Sequence, residues 1–277
     1  LILENRTLQK LLERNSARVG IIIAVFLIIL TLIAPLVLTF EPNAQNPAEK
    51  LLAPGFEHLL GTDQYGRDVL ARIADGASRS LGAAVLVLAG TLFLSLIAGI
   101  TVGMLGGIVD SMVMRVVDVF LALPSLILAL AAVGVLGVGF ENLLVALIFS
   151  SLAYYMRLAR SYALNAGHRQ DVIVARLAGV SWTRIIFGHI APDILTQMVI
   201  VATLDLGGVI VAFAGLSFLG LGVQPPDAEW GAMLNESRLF FTNAPWLLLA
   251  PAGAIFLSVV AANLIGNALR DASNNEL

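Results

Sequence analysis

Long apolar runs separated by short charged stretches dominate the chain. A helix needs about 20 apolar residues to cross the hydrocarbon core of a bilayer, so the gaps between successive charges measure crossings. Between Arg18 and Glu41 lie 22 uncharged residues, between Arg79 and Asp110 lie 30, and between Asp118 and Glu141 another 22. The gap from Glu141 to Arg157 holds 15, which suffices because both flanking side chains can snorkel to the headgroups. From Ile194 to Pro226 the single charge is Asp205, and Leu239 to Leu269 carries none. The pattern predicts an all-α, polytopic membrane protein with six transmembrane helices, over about residues 19–40, 81–106, 118–140, 142–159, 194–222 and 244–268. Residues 1–18 are expected to form a cytoplasmic N-terminal segment, and 19–277 one membrane domain with no soluble domain attached.

Composition agrees. Of 277 residues, 58% are hydrophobic and 13% charged, about half the charge of a soluble domain. The net charge of −3 comes with no basic tract that could track a phosphate backbone, which argues against nucleic acid as a partner. There is no cysteine, hence no disulfide framework and no thiolate chemistry. With the N-terminus inside, 11 of the 16 Lys and Arg residues fall on the inner side and 5 on the outer. The positive-inside rule then places both termini in the cytoplasm. The first apolar run follows four cations, as a signal peptide would, but exceeds a signal core of about 7 to 15 residues and lacks a small-x-small cleavage site before Glu41. It is expected to remain as a span.

Several chemistries drop out. Phosphate-binding loops need a lysine behind a glycine-rich turn, yet the only lysines, Lys10 and Lys50, follow Gln9 and Glu49. The chain has no nucleotide site or cofactor of its own. His58, His168 and His189 lie in different loops without the spacing of a zinc helix, so no metal site is expected. Ser217 stands in the fifth span, but Phe218 follows it and no span contains a histidine. A hydroxyl bonding back to its own helix accounts for it better than an intramembrane protease does. The chain is expected to be no enzyme.

Two polar segments are too long to be turns: 41–79 outside and 157–193 inside. The inner one reads as a short helix, a break and a second short helix. Asp171 can cap the first, Gly179 can take the left-handed conformation that ends it, and Ser181 can cap the next. Trp182, Ile185, Ile186 and His189 fall at i, i+3, i+4 and i+7, one largely apolar stripe, and Pro192 stops the run. Helices of two turns are unstable alone, so the stripe packs either on the chain's own spans or on a cytoplasmic partner.

The spacing Ala175-Arg176-Leu177-Ala178-Gly179, then twelve residues to Pro192, resembles the coupling motif of importer-type ABC permeases, with Ile173 and Val174 where that motif has Glu and Ala. Four further blocks extend the likeness: Gly61 to Val69, Met114 to Asp118, Leu216 to Gly222, and Asn263 to Asp271. Together they resemble the second permease subunit of the peptide/nickel branch of those importers, from about Arg18 to Asp271. The resemblance implies a transmembrane permease domain in a bacterial or archaeal cytoplasmic membrane, paired as a heterodimer with a homologous permease. Two cytoplasmic ATPase subunits carrying ATP and Mg would drive it, and an extracytoplasmic solute-binding protein would feed it. The ATPase contact would rest on residues 168–192, with Asp171, Ala175, Arg176, Gly179, Trp182, Ile186 and Pro192. The cargo would be short peptides, alternatively nickel or a metal chelate. An ion-coupled secondary transporter is the rival from another class, but it would run without an ATPase, would more often show inverted repeats and broken helices, and would leave that segment unexplained.

Asp205 sits eleven residues into the fifth apolar run, where a carboxylate costs roughly 2.5 to 3.5 kcal/mol on insertion scales. It either lines the translocation pathway or meets an internal polar partner. Arg115 and Asp118 are spaced to pair. Asp68, Val69, Leu70, Arg72 and Ile73 read as a capped amphipathic surface helix that docks the binding protein or braces the second span. Residues 224–231 suit either a gate or docking rim or an interface anchor through Trp230. Gly99 and Gly103 mark a close helix contact.

Overall fold

The computed structural model describes residues 14–37 and 41–274. The first 13 residues, with Arg6 and Lys10, lie outside the described residues, as do 38–40 of the first expected span and 275–277. The helices are α1 (Asn15–Val37), α2 (Val69–Leu105), α3 (Gly107–Leu121), α4 (Ser125–Leu136), α5 (Phe140–Gly167), α6 (Gln170–Leu177), α7 (Trp182–Ile185), α8 (Ala191–Phe218), α9 (Trp230–Ser237) and α10 (Trp246–Asn274). A π-turn over Ile186–Ile190 joins α7 to α8. Among the described residues the extended pairing is a single bridge, Thr62 with Asp68. The fold is all-α and polytopic.

Among the described residues, five helical stretches are long and apolar enough to cross a membrane: α1, α2, α5, α10 and the continuous run from Trp182 to Phe218. The pair α3 and α4 passes the same test only when taken together, and it is bent by 93°. The stretch expected as one span over 118–140 is therefore helical in two pieces that meet at a break. Pro124 lacks an amide hydrogen and disfavours helix in the residue before it, and it stands as the N-cap of α4. The fourth span was expected to end at 159, yet α5 continues to Gly167. Arg157 and Arg160 do not stop it, because Asp118 and Asp110 of α3 pair with them. Asp118 thus pairs with Arg157 rather than Arg115.

At 37 residues, α2 is about 55 Å long at 1.5 Å per residue, more than the bilayer core requires. It packs along α5 at the predicted glycine contact. A Cβ added at Gly99 would lie 2.6 Å from Ala159 Cβ and 2.7 Å from the Met156 carbonyl. The absence of a side chain therefore sets the spacing of the two helices. On the other side α10 packs against α1 and α8, and Gly207 faces Val259 and Asn263. The ion pair of Arg14 with Asp271 joins the start of α1 to the end of α10 and puts both ends on one side of the bundle.

The opposite end carries a buried polar cap. Asp68 is the N-cap of α2, accepting from the Ala71 amide at 2.7 Å. The expected surface helix is thus the first turn of the second span itself. Arg67 and Arg72 are almost fully buried. Arg67 bridges Asp63 and Glu236, and donates to Glu236 Oε2 at 2.7 Å. Arg72 donates to Asn43 Oδ1 at 2.9 Å and to the carbonyls of Pro42 and Pro226. Glu229, also buried, accepts from the Gly231 and Ala232 amides and from Ser80. Trp230 is no interfacial anchor. It is wholly buried in this cap and its indole donates to the Ile73 carbonyl at 3.0 Å.

Candidate functional site

At the end of the bundle opposite the buried polar cap, α6 and α7 form the elbow that the sequence anticipates, with altered details. Asp171 does not cap α6. The N-cap is Arg169, and Asp171 lies in the first turn. Arg169 holds Asp171 through Nε and Nη2 at 3.0 and 2.9 Å, and reaches Asp193 of α8 through Nη1 at 2.6 Å. The Arg169 guanidinium holds the Asp171 carboxyl below its ordinary range, and Asp171 in turn raises Arg169. This triad ties the start of α6 to the start of α8.

Gly179 closes α6 with φ +77°. Its amide bonds to the Arg176 carbonyl at 3.0 Å and the Val180 amide to the Ala175 carbonyl at 3.1 Å. That pair of bonds is the Schellman arrangement, which satisfies the last carbonyls of a helix and calls for glycine at this position. Ser181 is the N-cap of α7 without a side-chain capping bond. The Arg176 guanidinium stacks 5.0 Å from the Trp182 ring centroid, a cation–π contact that fixes the two arms of the elbow against each other.

The apolar stripe divides. Ile185 is fully buried with Val172, Ala163, Ala166, Ile190 and Ile194, and Ile186 packs against that cluster. Trp182 and His189 are exposed. The π-turn widens the helical repeat by one residue at Ile186–Ile190, and the four stripe positions do not form one buried face. Pro192 does not end the run. It lies in the first turn of α8, where its missing amide costs nothing. The apolar surface left open is instead Ile173, Val174, Leu177 and Phe187, with Leu177 84% and Phe187 76% exposed.

A second candidate lies at mid-bundle. Asp205 stands near the middle of α8 and accepts a hydrogen bond on Oδ2 from the Tyr155 hydroxyl of α5 at 2.8 Å. The internal hydroxyl partner that the sequence allows for Asp205 is thus Tyr155, and the carboxylate also lines a cavity. The cavity, about 310 Å³, is lined by Ser125 and Leu126 of α4, Ser150, Ser151, Tyr154 and Tyr155 of α5, Val87 of α2 and residues of α8 including Gly208. No basic side chain lines it. The sequence offered a signal for Tyr155 that went unused: a tyrosine inside an apolar run needs a partner for its hydroxyl. The break at Pro124 carries Ser125 to the cavity wall.

Long apolar helices around a cavity that holds one carboxylate and several hydroxyls, with an apolar elbow exposed at one end, are the build of a polytopic membrane protein. The chain belongs to the family of binding-protein-dependent transport system inner membrane components, which matches residues 92–276. The N-terminal transmembrane domain of oligopeptide transport permease C matches residues 5–54. The chain is thus an ABC importer permease subunit. It is similar to the nickel transport system permease protein NikC of Escherichia coli K12, at 39% identity over 94% of both chains. It is equally similar, at 39%, to the dipeptide transport system permease protein DppC of Alkalihalophilus pseudofirmus, over 95% of this chain and 87% of that one. The di/tripeptide transport system permease protein DppC of Pseudomonas aeruginosa is 37% identical over 97% and 91%.

Proposed function

We propose that this chain and a homologous sister permease form the pore of an importer for short peptides. Two cytoplasmic ATPase subunits, binding ATP and Mg, drive it, and an extracytoplasmic solute-binding protein delivers the cargo. Both termini lie in the cytoplasm, as the positive-inside count and the Arg14–Asp271 pair support. This chain hydrolyses nothing. It receives the work of hydrolysis through the elbow at 168–192, where Ala175, Arg176, Gly179 and Trp182 set the shape, Asp171 and Pro192 join it to α8, and Ile186 roots it in the bundle.

The observation that carries the reading is this elbow. Ile173, Val174 and Leu177 are exposed on a segment braced by buried Val172 and Ile185, as a rigid docking helix requires. Asp205 lines the pathway, because a mid-span carboxylate beside a hydroxyl-lined cavity has no place against lipid. The cargo reading rests on that cavity and on the dipeptide relatives. Among the described residues no group of three metal-ligating side chains occurs. Import of nickel or a metal chelate is the second reading, favoured by the equal identity to NikC.

Purification through a tag on this chain, followed by reconstitution, tests the assignment. A sister permease and ATPases should accompany it, and the vesicles with binding protein should take up dialanine in an ATP-dependent manner. Accumulation of nickel without dialanine would select the second reading, and isolation of the chain alone would reject the importer complex.

A further inference from the structure

The polar walls of the mid-bundle cavity are lopsided in charge. Asp205 supplies a carboxylate, Ser125, Ser150, Ser151 and Tyr154 supply neutral hydroxyls, and no lysine, arginine or histidine lines the space. Tyr155 is almost fully buried and donates to one carboxylate oxygen, Oδ2. That bond orients the Asp205 side chain and engages one of its two oxygens, Oδ2. The Tyr154 and Tyr155 rings meet edge to face at 5.4 Å, and Tyr154 is exposed along the cavity. A single anchored carboxylate, hydroxyl acceptors and an aromatic face form the complement of a small organic cation.

We propose that Asp205, positioned by Tyr155, is a pathway subsite for a primary ammonium group, such as the free amino terminus of a short peptide. The inference rests on the peptide-importer reading and deepens it. An ammonium offers three donors, one for Oδ1 and the others for neighbouring hydroxyls. The volume of about 310 Å³ suits a dipeptide-sized occupant. A bare divalent metal is a poorer match, since one carboxylate and neutral hydroxyls supply neither imidazole nor thiolate ligands. The permease then discriminates on its own, after the binding protein has released its cargo, between substrates with a free amine and those without.

The absence of cysteine from the chain allows a test that does not depend on transport. A Ser151→Cys substitution places a thiol on the cavity wall, and the purified full complex is treated with cationic aminoethyl methanethiosulfonate or its anionic sulfonatoethyl counterpart. Modification of this chain is followed by mass. The cationic reagent should react at least tenfold faster than the anionic one relative to their rates with a free thiol, and Asp205→Asn should abolish that preference. Asp205→Glu and Tyr155→Phe, which keep the charge, should retain most of it. Dialanine should slow modification by a neutral thiosulfonate, whereas N-acetyl-dialanine and nickel chloride should not. Equal cation preference with and without Asp205, or no reaction with any reagent, overturns the proposal, as does protection by nickel in place of the peptide. Loss of complex yield in Asp205→Asn with the preference unchanged in the recovered fraction assigns Asp205 a structural role and also overturns it. Failure of the peptide reading is separate, since it appears as nickel uptake without dialanine uptake by the unmodified complex.

Discussion

Replacing Gly179 by valine, alanine and asparagine separates the backbone requirement of the elbow from its surface. With φ at +77°, any L-residue with a Cβ is strained, by about 1 to 2 kcal/mol for alanine and up to roughly 3 kcal/mol for a β-branched residue. Asparagine tolerates this region best among non-glycine residues. A Cβ added here meets no atom within 4 Å, so steric overlap inside the chain contributes nothing and the cost is purely conformational. A loss of about 2 kcal/mol shifts a two-state balance roughly thirtyfold. The elbow should therefore open in Gly179→Val, be weakened in Gly179→Ala and be largely kept in Gly179→Asn. The spans, each held by about 20 apolar residues, should be untouched. In the purified complex, substrate-stimulated ATP hydrolysis and vesicle uptake should fall together in the order Asn, Ala, Val, with assembly retained. If asparagine is as damaging as valine, the position needs space for a partner rather than a positive φ. If valine is harmless, the elbow has no part in coupling.

Three further outcomes are expected. Glu236→Ala leaves Arg67 and Arg72 short of a buried counter-charge, which costs about 3 to 5 kcal/mol. The thermal midpoint of the detergent-solubilised complex should drop, and Glu236→Gln should recover part of it. Gly99→Leu drives a side chain into the Met156 carbonyl and the Arg160 amide of α5. Yield of the folded complex should collapse, whereas Gly82→Ala, where an added Cβ meets nothing within 4 Å, should leave it unchanged. Asp171 has its carboxyl held below the ordinary 3.8 by Arg169, so its contribution is complete above that value and disappears only as pH falls through the lower folded one. Hydrogen exchange of the Asp171 to Arg176 amides should therefore show no dependence on this group between about pH 5 and 8. Asp171→Asn should raise that exchange at neutral pH by a small factor, since the pair is exposed.

Charge spacing made most crossings legible, because the cost of a charge in hydrocarbon is a property of the residue alone. It failed where a charge is neutralised by a distant partner. Arg160 pairs with Asp110 across 50 residues, which lets α5 run past the expected end, and Arg67 meets Glu236 across 169. The break in the third span escaped a ruler that counts charges, although Pro124 was its visible sign. Gly179 was legible as a helix stop, since its conformational freedom is local. Which apolar residues of the elbow face outward was not, because that depends on how the two short helices pack on the bundle: Val172 and Ile185 are buried there, and Ile173, Val174 and Leu177 are left exposed.

Leu177, the most exposed apolar residue of the elbow, is the position that tests directly whether the elbow docks the energy-supplying subunits. A photoreactive phenylalanine at this position, irradiated in native membranes and resolved by mass spectrometry, should form its main adduct with a cytoplasmic ATPase subunit. That adduct should diminish in the Gly179→Val background. Adducts confined to lipid or to this chain's own helices would contradict the assignment of residues 168–192 as the coupling surface.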